Sequence, residues 1–208
     1  MSVLMIGAGL LAVASVTPGP NNLLVMRIAA RSGFKSAIPA MAGVVAGGLT
    51  MWALVMSGVS VAFQARPHLY RAISITGGMY LCWMGARLIV DTFVPSDRSQ
   101  PALAGVGPSS AVALFGFQFL NAKSWVLVLT VSAAVGNGVD SLQATLVLAT
   151  LFTLIPTLCL ALWCAMGIVM MRCLDTPAAR NWMDRLMGAL LFASALLLVL
   201  VPVDISHR

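Results

Sequence analysis

Six apolar runs decide what this chain can fold into: residues 3–26, 37–63, 72–90, 110–135, 142–171 and 186–203. A helix needs roughly 20 predominantly apolar residues to cross the hydrocarbon core of a bilayer. Each run reaches or approaches that length, the third and sixth being shortest. Unpaired backbone groups cost several kcal/mol in lipid, so runs of this kind are helices that satisfy their own N–H and C=O groups. The composition agrees, with 60% of the 208 residues hydrophobic and 9% charged, against about 25% charged in soluble domains. The chain reads as an all-α integral membrane protein with six transmembrane helices. Proline at position 156 is expected to kink the fifth.

A linker rich in Pro, Gly and Ser, residues 94–109, separates the third run from the fourth. It divides the chain into residues 1–93 and 110–208, each with three runs. Three is odd, so related halves must lie in opposite orientations, as two inverted three-helix repeats. The segments after the first, third and fifth runs carry Arg27, Arg31, Lys35, Arg87, Arg98, Arg172, Arg180 and Arg185. The other side carries Arg66, Arg71 and Arg208. The positive-inside rule therefore puts the linker in the cytoplasm and both termini outside. "AVA" at residues 12–14 resembles a signal-peptide cleavage site, but no Lys or Arg precedes it, so cleavage is not expected.

The first run contains its own interruption. "TPGPNN", Thr17 to Asn22, places two prolines and a glycine inside a hydrophobic helix. A proline forces the residue before it out of the helical region, so one half-helix should end near Thr17. Proline is welcome at the first position of a helix, so a second half-helix should begin at Pro20, with Gly19 before it. The unwound groups at Thr17, Pro18, Gly19 and Pro20 must face protein or a water-filled cavity. The new N-terminus favours a carboxylate, and the carbonyls ending the first half can receive an ammonium group. With Asn21 and Asn22 beside them, these poles suit a zwitterion such as a free amino acid; a plain packing kink is the competing reading.

The fourth run carries a counterpart, "GFQFLNAKSW" from Gly116 to Trp125, where Gln118, Asn121, Lys123 and Ser124 interrupt the apolar sequence. A lysine near a helix centre costs about 2.5–3.5 kcal/mol on insertion scales, so it either lines a functional interior or snorkels to the interface. Interruptions in corresponding runs of the two halves point to a transporter site. Thr17, Pro18, Gly19, Pro20, Asn21, Asn22, Gln118, Asn121 and Lys123 are the candidate substrate-binding residues. "GVVAG" at 43–47 and the glycines at 77, 78 and 85 read as surfaces for close helix packing. Trp83, Trp125, Trp163 and Trp182 read as packing or interface anchors.

Other functions find little support. Cys82, Cys159, Cys164 and Cys173 form no CxxC pair and lie away from both interruptions, which argues against a thiol-disulfide electron transporter. Two histidines and no glutamate leave no metal centre and no acid–base constellation for an enzyme. The net charge of +6 reflects membrane orientation and not nucleic-acid binding. A passive channel for small zwitterions is harder to exclude. The six Asp residues all fall at span ends or in loops, so no buried carboxylate is expected. A cationic substrate side chain would then lack a partner and meet Lys123, which favours a neutral, apolar amino acid.

These motifs resemble the LysE/RhtB amino-acid exporters. "TPGPNN" is similar to that family's signature, followed by a basic, Gly-containing stretch like "RIAARSGFKSAIPAMAGVVAG". "GGMYLCWMGARL" and "FGFQFLNAKSW" resemble its third- and fourth-span elements, in the same order and spacing. The resemblance implies secondary export of amino acids or close derivatives from the cytoplasm, driven by the proton gradient, in a bacterial inner membrane. It implies an amino-acid substrate and the lipid bilayer as partners, no cofactor and no metal, with a homodimer left open. The family commonly has Asn-Pro-Lys where this chain has Asn121-Ala122-Lys123, so the second break is expected to be milder.

Overall fold

The first apolar run is two helices. In the computed structural model, which describes residues 3–59, 65, 67–93, 111–135, 142–173 and 176–200, α1 (Val3–Val16) stops before the first proline and α2 (Pro20–Ser32) starts at the second. The two meet at a bend of 54°. Gly33 alone joins α2 to α3 (Phe34–Leu54). Its φ of 83° lies in the left-handed region, where a Cβ is penalised, and its N–H closes the end of α2 on the Ala29 carbonyl at 2.9 Å. Beyond α3, Val55–Val59 carries the chain into a kink at Gly58, whose φ of 103° is not helical.

The third run forms α4 (Pro67–Val90). The fourth is again broken, into α5 (Ala111–Leu120) and α6 (Ala122–Val135). Then follow α7 (Leu142–Cys173), continuous through Pro156, and α8 (Pro177–Leu200). No strand occurs among the described residues. Three helical stretches, Phe34–Gly58, Arg71–Val90 and Leu142–Cys173, are long and apolar enough to cross a membrane. The two bent pairs raise the number of candidate spans to as many as five. The sixth expected run lies in α8, which is not among these candidates; residues 201–203 of that run and the whole 94–109 linker lie outside the described residues.

The second break corrects an expectation. The α5–α6 bend is 71°, sharper than the 54° of the Pro-Gly-Pro break, although no proline is present. It is shorter, with only Asn121 outside the helices. The reason is local. The Asn121 side-chain oxygen accepts the Lys123 backbone N–H at 3.1 Å, while its carbonyl accepts Ser124 N–H at 2.9 Å. That is a helix N-cap, and it starts a new helix in a new direction without a proline.

The halves interlock instead of packing side by side. α4 lies along α8, α3 along α5, and α7 against both α1 and α2. In lipid the helices cannot gain from leaving water, so close contact between small residues carries the packing. The glycine surfaces do this: a Cβ on Gly43 would overlap the Ala111 carbonyl, and one on Gly77 the Leu120 carbonyl. A Cβ on Gly85 would stand 2.8 Å from the Gly188 carbonyl oxygen. Trp125 is buried, with its indole N–H donating to Phe119 O at 3.0 Å, whereas Trp83 and Trp182 are exposed. Cys164 is buried beside Met41, its Sγ 3.7 Å from the methionine sulfur.

A second correction concerns charge. Asp184 was expected at a span end, yet only 4% of it is exposed. α8 begins at Pro177, not near 186, so Asp184 sits in the helix and faces α2. There its Oδ1 accepts from Arg27 Nε at 3.2 Å and its Oδ2 from Arg31. Arg27 and Arg31 are four apart and share a helix face. That spacing was the available signal, because two arginines on one face beside an apolar core need an anion. Nearby, Arg185 Nε donates to Thr92 Oγ1 at 2.9 Å, joining α8 to the end of α4.

A polar cavity between two broken helices

The α1–α2 break leaves carbonyls without helical partners, and the sequence around it supplies donors. Thr17 N–H still reaches Val13 O at 3.1 Å, and the Thr17 hydroxyl donates to Ala14 O at 2.9 Å. Asn22 reaches back from the first turn of α2. Its Nδ2 donates to Ser15 O at 2.8 Å and to Thr17 O at 3.0 Å. Gly19 is extended (φ −160°, ψ 172°), and Gly19 O accepts Leu23 N–H at 3.0 Å as the first bond of α2. No side chain caps that helix, and a free helix N-terminus favours an anion.

Lys123 crosses from the other break. Its Nζ donates to Thr17 O at 2.8 Å, Thr17 Oγ1 at 2.9 Å and Pro18 O at 3.3 Å. The lysine thus reaches the negative end of the α1 dipole instead of running along its own helix. Its ammonium also fills the space that a side chain at Gly19 would take, since a Cβ there would lie 2.8 Å from Nζ.

Between these groups lies a cavity of about 80 Å³, room for more than one water. Gly19, Pro20, Asn21, Asn22, Gln118 and Lys123 line it, six of the nine residues expected to bind substrate. Thr17 and Pro18 contribute the oxygens that hold Lys123, and Asn121 is buried as the cap of α6. Gln118 is 1% exposed; its Oε1 accepts from Ser124 Oγ at 2.6 Å and Asn21 Nδ2 at 3.2 Å. Two buried polar atoms on this wall have no partner: Gln118 Nε2, a donor, and Asn21 Oδ1, an acceptor. Buried polar groups are normally paired, so this complementary couple is what a polar ligand would satisfy.

Sequence reasoning missed the apolar wall. Val44 and Val45 from α3, Leu127 and Val128 from α6, and Phe152 and Leu160 from α7 complete the cavity. They look like ordinary span residues, and no local signal separates them from lipid-facing ones. Asp184 does not line the cavity and is engaged by two arginines, so no carboxylate lines the cavity among the described residues. No group of three or more His, Cys, Asp or Glu residues suited to a metal occurs among the described residues.

Helices long enough to cross a bilayer, closed around a polar cavity at two helix breaks, define a multi-pass membrane protein. Residues 12–201 match the family model described as LysE type translocator, and the chain belongs to that family. It is 29% identical over 97 residues to the leucine efflux protein of Klebsiella pneumoniae subsp. pneumoniae, covering 47% of this chain and 45% of that protein. It is 28% identical over 112 residues to the cysteine/O-acetylserine efflux protein of Salmonella choleraesuis, covering 53% and 54%. Over 108 residues it is 28% identical to the threonine efflux protein of Escherichia coli (strain K12), covering 52% and 50%. The chain thus spans about half the length of the curated relatives it matches. No solved structure matches it.

Proposed function

We propose that this protein is a secondary transporter that exports neutral amino acids with apolar side chains from the cytoplasm, coupled to proton entry. The observation that carries the reading is the unpartnered couple of Gln118 Nε2 and Asn21 Oδ1 in a cavity beside an uncapped helix N-terminus. The α2 amides and Gln118 Nε2 suit the substrate carboxylate. Asn21 Oδ1 and the carbonyl end of α1 suit its ammonium. The wall of Val44, Leu127, Phe152 and Leu160 suits an aliphatic side chain and offers a cationic one no anion. Efflux relatives named for leucine, threonine and cysteine/O-acetylserine agree with a neutral substrate, and the leucine relative with an apolar one.

Six spans in two inverted repeats remain part of the proposal. Packing of α4 on α8, and of α3 on α5 with α7 on α1, is the pattern that exchanging the halves would preserve. Arg27, Arg31, Asp184, Arg185 and Thr92 gather where α2 and α4 end and α8 begins. A single basic face there supports cytoplasmic ends for the first and third spans, with both termini outside.

The test is counterflow into proteoliposomes loaded in turn with a panel of amino acids. Leucine, isoleucine and valine should exchange, and lysine and arginine should not. Exchange of no amino acid removes the transporter reading, and equally fast lysine exchange removes the apolar preference. Efflux at the same rate with and without an imposed pH gradient would make the protein a passive channel.

A further inference from the structure

The oxygens that end α1 hold an ammonium that belongs to the protein itself. We propose that the Lys123 ammonium and the ammonium of the transported zwitterion take turns in one cage, formed by Thr17 O, Thr17 Oγ1 and Pro18 O, so that Lys123 carries the coupling proton. The proposal rests on the exporter reading and supplies its coupling residue.

The cage has the valence of an ammonium. Three oxygens meet the three donors of Lys123 Nζ, at 2.8, 2.9 and 3.3 Å. Two are backbone carbonyls at the negative end of a helix dipole, a site that prefers cations whatever molecule bears them. The cage borders the cavity through Gly19, where a side chain would collide with Nζ. An amino acid lying with its carboxylate at the start of α2 would bring its own ammonium to the same oxygens. Both ammonium groups cannot be there at once.

Among the described residues, Lys123 is also the one ionisable residue lining the cavity. The other polar walls are neutral: Ser15 of α1, Asn21 and Asn22 of α2, Gln118 of α5 and Ser124 of α6. α1 and α5 contain no charged residue at all. The first along α2 is Arg27, held by Asp184; α3 offers only Lys35 in its first turn, and α7 only Arg172 in its last. Among the described residues, no other group at the cavity is placed to exchange a proton with the substrate's arrival.

The exchange balances with one N–H bond. With Lys123 protonated, its ammonium closes the cage. Loss of one Nζ proton to cavity water, and so to the cytoplasm, leaves a neutral amine with two donors, and the substrate ammonium replaces it. On the outer side a proton from outside re-forms the Lys123 ammonium, which re-enters the cage as the substrate leaves. One proton moves inward for each zwitterion moved outward, carrying one net positive charge.

Competition for one cage gives the wild-type protein a measurable signature. With leucine as the probe, and equal pH on both sides, the half-saturating concentration for counterflow should fall as pH rises from about 6 to about 8.5. The limiting slope is about tenfold per pH unit while Lys123 is protonated. A half-saturating concentration that is flat across this range overturns the proposal. Lys123→Arg keeps a cation of similar reach that does not titrate, so whatever exchange it retains should lose both the pH slope and the response to an imposed pH gradient. A K123R protein that keeps the wild-type slope also overturns it. Exchange of no amino acid at any pH removes the exporter reading, and the cage with it; exchange that is flat with pH removes the cage alone.

Discussion

The two broken helices solve one problem by opposite means. At the first break, Pro18 and Pro20 take backbone donors away, three residues leave the helix, and the bend is 54°. At the second, Asn121 supplies an acceptor, one residue leaves the helix, and the bend is 71°. Proline count therefore does not set the bend. What differs is the state of the helix that follows. α2 begins without a side-chain cap and its first residues line the cavity, whereas Asn121 already caps α6. On the proposed reading, the ligand's carboxylate belongs at the proline break. The asparagine break serves to carry Lys123 across to its neighbour. The carbonyl ends differ in the same sense: Lys123 and Asn22 hold that of α1, while the Trp125 indole holds Phe119 O at the end of α5.

The halves that follow the breaks are also anchored differently, and the largest expected effect tests this. α2 is tied to α8 through Arg27, Arg31 and Asp184, with Arg27 and Asp184 at 6% and 4% exposure. α6 is held by apolar packing of Trp125, Val128 and Val131. Removing one partner of a buried ion pair costs about 3–5 kcal/mol. Asp184→Ala, which strands two arginines, should cost that much and lower the melting temperature of the detergent-solubilised protein by about 2–4 °C per kcal/mol. Asp184→Asn, which keeps an oxygen without the charge, should fall in between. An Asp184→Ala protein as stable as wild type would mean that α2 is held by its apolar contacts alone.

The first break could be read from sequence almost to the residue, because proline acts through covalent geometry: it lacks an N–H and fixes its own φ wherever it stands. The second could be located from Gln118, Asn121 and Lys123 but not gauged, because an asparagine cap depends on where its side chain points. Asp184 was missed for a related reason. Hydropathy starts the last run near 186, while the helix starts at Pro177, and only the fold brings Asp184 to α2. The cavity's apolar wall was invisible because Val44 or Leu127 looks the same toward lipid as toward substrate. A moderate effect tests the cap: Asn121→Ala removes the acceptor of Lys123 N–H and should cost about 1 kcal/mol. It should also loosen the hold of the Lys123 ammonium on Thr17, and so lower the half-saturating leucine concentration at low pH more than at high pH. A loss below about 0.3 kcal/mol would show that the break stands without its cap.

The smallest effect makes the sharpest comparison. Ala122→Pro would place at the second break the residue that the family motif commonly has there. Ala122 is the first residue of α6, where an N–H has no helical partner and proline's fixed φ suits the helix. Proline also pushes the residue before it toward extended backbone, which is what an N-cap such as Asn121 adopts. The fold should accept the change, and restriction of the unfolded chain should stabilise it by about 0.4–1 kcal/mol. Leucine counterflow should remain, because Asn121 still caps α6 and the substituted residue does not line the cavity. A rise of a few degrees in melting temperature with transport intact would show that the two ways of breaking a helix are interchangeable at this site. A fall would mean that the sharper bend uses a conformation of Asn121 that proline forbids, so that Ala122 is itself part of what makes this break differ from the first.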